Sequence, residues 1–280
     1  MTRDHRVGLL SDMHRSSLQR VAEARERVPE AALRAAVLGA PAPPPLRLAP
    51  VGFDLIAELK LRSPSLGDLS AATLDPVRRL EAYAEGGAAV CSILTEPDRF
   101  DGSLDHLRLA AQTLQPYGVP AMRKDFLVHP YQLLEARAHG ASGVLLIVRM
   151  VSRERLVELL DAAAALGLFV LLEAFDADDL AVASELARER AGRAEQVLMG
   201  LNCRDLETLA IDFDRFAELR ERMPPEWPAV AESGVQTPED AARVAALGYR
   251  LALVGTSLMR RHDAAQAVRE LLEAGRRARG

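Results

Sequence analysis

The chain has 280 residues, 49% of them apolar, which suits one large domain with a sizeable core. Its net charge of −5 leaves no basic footprint for a polyanion and argues against nucleic acid as a partner. No apolar run approaches the roughly 20 residues of a membrane span, and residues 1–6 are polar without the apolar core of a secretion signal, so no membrane partner and a cytoplasmic location are expected.

Residues 8–38 carry Leu9, Leu10, Met13, Leu18, Val21, Ala24 and Val28 at helical spacing, with Arg and Glu between them. Pro29 is placed to open a second helix over 30–38. The PAPPP run at 41–45 is a stiff connector and the clearest composition break. Residues 1–48 therefore read as an N-terminal helical extension, too poor in apolar side chains to fold alone. Residues 49–280 read as the main domain.

From Phe53 onward one unit repeats: a short apolar run, a polar turn and an amphipathic stretch. The apolar runs fall at 53–60, 88–95, 119–126, 143–148, 168–174, 196–202, 228–234 and 250–256. Helices are predicted near 75–85, 104–115, 130–139, 153–166, 177–190, 212–222, 238–247 and 263–278. Asp75-Pro76 and Thr237-Pro238 supply start signals, and Gly87, Gly140, Gly167 and Gly248 supply stops. Eight alternating units imply a parallel sheet closed into a (β/α)8 TIM barrel. An open doubly wound sheet binding a dinucleotide would carry a Gly-rich turn after its first strand, and Ser63-Pro64-Ser65 is not one.

Catalytic groups of such barrels gather at the C-terminal strand ends. The first strand ends on Glu58, Lys60 and Ser63, the third on Arg123, Lys124 and Asp125, and the fifth on Glu173. Asn202 and Arg204 follow the sixth, and Glu232 closes the seventh. The opposite ends are nearly free of charge. Alternation turns Lys124 inward and Arg123 outward. Lys60, Lys124 and Glu173 form an ionisable set able to yield a general acid and base near neutral pH. For Glu232 and Asp125 a structural ion-pair role is an equal reading, and Arg204 is either a carboxylate fork or a solvated loop arginine. Ser233-Gly234 and Gly255-Thr256 are either ordinary turns or a phosphate cradle of open backbone N–H groups; their position on adjacent strands favours the cradle. No two of the six histidines have metal-ligand spacing, so no metal is expected.

The segments ELKLRSPS (58–65), CSILTE (91–96), RKDF (123–126), GLNCRDLET (200–208), AESG (231–234) and VGTSLMR (254–260), in this order, resemble indole-3-glycerol phosphate synthase. The resemblance covers residues 53–262 and implies a lyase of tryptophan synthesis without a cofactor. It would close the pyrrole ring of 1-(2-carboxyphenylamino)-1-deoxyribulose 5-phosphate, then release CO2 and water. It implies catalytic roles for Glu58, Lys60, Lys124, Glu173, Asn202 and Glu232. It places the aromatic ring between Phe100 and Phe126, the carboxylate near Arg204, and the phosphate at Ser63, Ser233, Gly234, Gly255 and Thr256. A monomer or weak homodimer acting on a small phosphorylated molecule is expected. Ala174-Phe175 stands where the family commonly has Val-His, and Leu66 where a lysine is frequent. Such departures leave room for the same chemistry on a substituted anthranilate. A barrel that binds without turnover would break a catalytic position, and none is broken.

Overall fold

The computed structural model describes residues 8–279 except 51, 61, 64–66, 69–74, 193–195 and 207; for 62–63 and 67–68 it describes the backbone. Eight parallel strands close into a barrel: β1 (Asp54–Leu59), β2 (Val90–Leu94), β3 (Ala121–Lys124), β4 (Gly143–Ile147), β5 (Phe169–Ala174), β6 (Val197–Asn202), β7 (Ala229–Glu232) and β8 (Leu251–Val254). β1 closes the ring, with Ile56 beside Val90 of β2 and Asp54 beside Leu251 of β8. Each strand falls within the apolar run that predicts it.

Strand alternation sorts the core into two layers. Ile56, Met122, Leu145, Leu171, Leu198 and Val230 fill the barrel interior. Their sequence neighbours, such as Leu55, Cys91 and Val170, face the surrounding helices. On the interior register, the last position of several strands is polar: Glu58, Lys124, Glu173, Asn202 and Glu232, all buried or nearly so. The site residues are the continuation of the inward apolar columns to the C-terminal rim.

The outer helices are α3 (Pro76–Gly86), α5 (Leu104–Leu114), α6 (Pro130–Ala138), α7 (Arg153–Ala165), α8 (Ala177–Glu189), α10 (Pro238–Ala246) and α12 (Ala264–Arg277). Asp75 caps α3 by accepting from the N–H groups of Val77 and Arg78, ahead of Pro76. Thr237 and Asp240 form a reciprocal capping box on α10. The stop glycines Gly87, Gly140, Gly167 and Gly248 all take left-handed φ values. The stretch predicted as a helix over 212–222 is instead a four-residue helix, α9 (Arg215–Glu218), followed by a 3-10 turn over Arg220–Arg222. Two short features carry too few residues for a periodicity: α4 (Pro97–Phe100), and an antiparallel pair of two-residue strands, Arg62–Ser63 and Gly67–Asp68.

The extension forms α1 (Leu9–Arg27) and α2 (Glu30–Gly39), with Pro29 as the residue before the second helix and not its first turn. α1 is fastened at two places. Ser17 Oγ donates to the Phe126 carbonyl at 2.6 Å, and the Arg20 guanidinium forks onto both oxygens of Asp125 at 2.9 and 3.1 Å. Further along, the Tyr131 hydroxyl of α6 donates to the carbonyls of Ala24 and Val28. Leu33 of α2 packs with Val21, Tyr131 and Leu134. Cys91 and Cys203 are buried and unbridged.

Candidate active site

A cavity of about 850 Å³ opens at the C-terminal end of the barrel, with a charged floor. The Glu58 carboxylate lies between two ammonium groups, 3.0 Å from Lys60 Nζ and 3.6 Å from Lys124 Nζ. Burial alone would raise the Glu58 pKa, but Lys60 and Lys124 outweigh it and hold the group below its ordinary value. Burial opposes the charge on Lys124, and Glu58, Glu173 and Glu232 together outweigh it, so the pKa of Lys124 stands above the ordinary lysine value. Gly255, just past β8, is needed for this arrangement: a Cβ there would lie 2.3 Å from Glu58 Oε1.

Across the floor stand two further carboxyls. Asn202 Nδ2 donates to Glu173 Oε1 at 2.7 Å, while Asn202 Oδ1 accepts the Arg204 N–H at 2.9 Å. This fixes the amide orientation from both ends. Burial raises the Glu173 pKa, against the opposing effects of Lys124 and Asn202. Glu232 is raised further, by burial first and by the neighbouring Glu173 next. Neither Glu232 oxygen receives an N–H or hydroxyl donor among the described residues; the Glu173 carboxyl beside it is the group with which it can share a proton. The carboxyl presses on Gly200 of β6, where a Cβ would come within 2.0 Å of Oε1. A buried carboxyl without such a donor favours its protonated form.

The cavity walls differ by side. Leu9 of α1, Phe126, Ile147, Phe175 and Leu206 make an apolar wall beside β3–β6, with Phe100 of α4 near β2. On the β7–β8 side the wall is Ser233, Gly234, Gly255 and Thr256. Ser233 and Gly234 both take positive φ, 65° and 80°, an uncommon conformation for serine. Arg204 lines the cavity and also donates to the Leu209 carbonyl at 3.1 Å, so its fork is only partly open. The backbone of Ser63 lies in the short antiparallel pair, and its side chain lies outside the described residues.

Every other candidate from the sequence reaches this cavity, with two separations. Arg123 and Asp125 face away from it, into the layer between β3 and α6. Sequence reasoning missed Leu9 and Asp12 of α1 and Phe175, whereas Ser257 and Arg260 lie in the VGTSLMR segment quoted above and line the cavity from the short helix α11 (Thr256–Arg260). Phe175 lay within view as an alternate position two residues beyond Glu173; the docking of α1 had no local signal. Arg149 covers the Phe175 ring at 5.1 Å while Asp179 receives both the Phe175 N–H and Arg149 Nε. Among the described residues, no group of three His, Cys, Asp or Glu is placed to hold a metal ion. No described helix is long and apolar enough to cross a membrane.

Comparison with known proteins identifies the family. The sequence profile of the family described as Indole-3-glycerol phosphate synthase matches residues 10–271. The indole-3-glycerol phosphate synthase of Mycobacterium leprae (strain Br4923) is 40% identical over 245 residues, covering 87% of this chain and 86% of that protein. That of Mycobacterium avium (strain 104) is 42% identical over 240 residues, 84% of each chain. Among solved structures, 3-hexulose-6-phosphate synthase from Salmonella typhimurium superposes with a TM-score of 0.62 at 14% identity, covering 81% of this chain and all of that one, a likeness of fold. The family match takes in all eight strands and most of α1, and with it both walls of the cavity: this chain belongs to the indole-3-glycerol phosphate synthase family.

Proposed function

We propose that this chain forms indole-3-glycerol phosphate from 1-(2-carboxyphenylamino)-1-deoxyribulose 5-phosphate, as a carboxy-lyase of tryptophan synthesis. The observation that carries the reading is the floor of the cavity, where one carboxylate bridges two ammonium groups opposite two carboxyls whose pKa values burial raises.

The raised pKa of Lys124 keeps it cationic at neutral pH, fit to give a proton to the ketone oxygen as the aryl carbon bonds to the carbonyl carbon. The carboxylate then leaves the same aryl carbon as CO2, its bonding pair restoring the aromatic ring. Lys60 meets the carboxylate before departure, with Arg204 beside it, and Glu58 holds both lysines in place. Loss of the new hydroxyl as water needs a second acid and then a base for the remaining proton. Glu173 stands in reach of both tasks because its pKa is shifted toward neutrality. Asn202 orients Glu173 through its amide, and Glu232 faces the nitrogen-bearing centre.

The aromatic ring fits the apolar wall, between Phe100 and Phe126. The phosphate fits the opposite wall, against the backbone of Ser63, Ser233, Gly234, Gly255 and Thr256. Binding at that remote end positions the reacting carbons. The extension (1–48) and the barrel (49–280) act as one catalytic unit, since Leu9 and Asp12 wall the cavity. A second reading, the same chemistry on a ring-substituted substrate, is favoured by Phe175, whose fixed ring stands in the wall that takes the aromatic group.

Purified protein mixed with the carboxyphenylamino ribulose phosphate should release CO2 and develop indole fluorescence. No signal with this compound or its ring-methylated analogue removes the proposal; a signal with the analogue alone selects the second reading.

A further inference from the structure

Phe175 stands just past the end of β5, two residues after Glu173, and alternation turns both toward the barrel mouth. Its ring is nearly buried and lines the cavity with Leu9, Phe126, Ile147 and Leu206, whose side chains carry no hydrogen-bonding atom. The ring is held from the far side. Arg149, in the 3-10 turn Val148–Met150 that follows β4, sets its guanidinium 5.1 Å from the ring centroid. The guanidinium is itself fixed by a fork, with Nε donating to Asp179 at 2.7 Å and Nη2 donating to Asp176. Asp179 also accepts the Phe175 N–H at 2.9 Å, so one carboxylate ties the phenylalanine backbone to the arginine over its ring. Asp176 caps α8 by accepting from the N–H groups of Asp178 and Asp179, which anchors the fork to a helix. Arg149 is not among the residues that line the cavity, so it acts on a ligand through Phe175.

We propose that Phe175 is a specificity-determining residue of the aryl end and that Arg149 is its positioning residue. A clamped apolar wall accepts a bare or alkylated ring and rejects a hydroxylated one. A hydroxyl pressed against it gives up its bonds to water and meets only carbon. An untethered side chain could swing aside and let water follow the hydroxyl in. A ring fixed under a guanidinium, with its own N–H tied to the same fork, does not. The inference rests on the proposed function insofar as the ligand carries an aryl ring, and it narrows the ring-substituted reading to apolar substituents.

The test compares substrates bearing a methyl or a hydroxyl group at the same ring position, each free position in turn. At one position at least, wild type should prefer methyl by about tenfold to a hundredfold in kcat/KM. Phe175→His, a polar ring in place of an apolar one, should cut that preference to about threefold or less. Arg149→Met removes the fork and the charge and should also cut the preference, an effect that a merely structural joint would not have. With the unsubstituted substrate it should raise KM about threefold and leave kcat within about twofold. Arg149→Lys keeps a cation over the ring and should restore part of the preference. In the Phe175→His background, Arg149→Met should change the preference no further, since Arg149 works through Phe175. The inference is overturned if wild type shows no methyl preference at any position, or if Phe175→His or Arg149→Met, with wild-type circular dichroism, keeps it in full. Should Arg149→Met not fold, Arg149→Lys and Phe175→His decide. The same preference is read by calorimetry with methyl- and hydroxyanthranilate, the aryl fragments of these substrates. Turnover without the preference sinks the inference and spares the function, and preference in fragment binding without turnover does the reverse.

Discussion

Two charged clusters stand one residue apart along β3, and they differ in how completely their groups are satisfied. The outward one is closed. Both oxygens of Asp125 are occupied, by Arg20, Arg123, the Thr95 hydroxyl and the Phe126 N–H. Arg123 spends its remaining donors on Thr95, the Gln132 carbonyl and Glu135. Burial pushes Asp125 up, yet Arg123 and Arg20 hold it well below the carboxylate range. The inward cluster around Lys124 is left open, with Glu232 lacking a donor and Glu173 raised in pKa. Charge and burial are alike in both; completeness is not. A full set of partners makes a structural joint, whereas an incomplete set around a cavity keeps polar groups in reserve for a ligand.

The sharpest way to break this comparison is to delete one member from each side. Lys124→Ala should lower kcat/KM by about 10²–10⁴-fold, the usual contribution of a positioned proton donor, with little change in melting temperature because Glu58 keeps Lys60 at 3.0 Å. Asp125→Ala should do the opposite. It strands two arginines and should reduce unfolding free energy by about 3–5 kcal/mol in urea titrations. Exchanged results would show that the outward cluster does the chemistry.

The smallest effect tests the sign of the inward charges. Glu58 has a folded pKa below its ordinary 4.5, so its contribution to stability is present above that value and lost as pH falls through the folded pKa. Glu232 has a folded pKa above 4.5, so the native state holds an extra proton and stability is lost as pH rises through the folded value. Paired thermal melts at about pH 4 and about pH 8 should therefore show Glu58→Gln less stable than wild type mainly at the higher pH. Glu232→Gln should be more stable there, with both differences shrinking in acid. Equal signs for the two variants would contradict the geometry.

The sequence made the barrel legible because each strand is an apolar run and each helix a periodic stretch long enough to recognise. It also showed Glu58, Lys124, Glu173 and Glu232, since a charge ending an apolar run is conspicuous. The duties of Arg123 and Asp125 were half legible: alternation turns both outward, but only folding shows that Arg20, a hundred residues earlier, arrives to close the cluster. The same holds for Leu9 and Asp12, which enter the cavity wall by docking of α1. α9 starts later than predicted because the Asp212 N–H is used on the Cys203 carbonyl, next to the Arg204–Ile211 bridge.

The closure of β1 against β8 has a bearing on how the protein comes into being. Glu58 is made early, yet the residue against which its carboxylate rests, Gly255, leaves the ribosome some two hundred residues later. Until then the first strand has an unpaired edge open to any other strand nearby, and pairing over such a span is slow. A nascent chain lacking its last strand therefore already holds every charged group of the floor, and Gly255 is the late arrival against which the Glu58 carboxylate comes to rest.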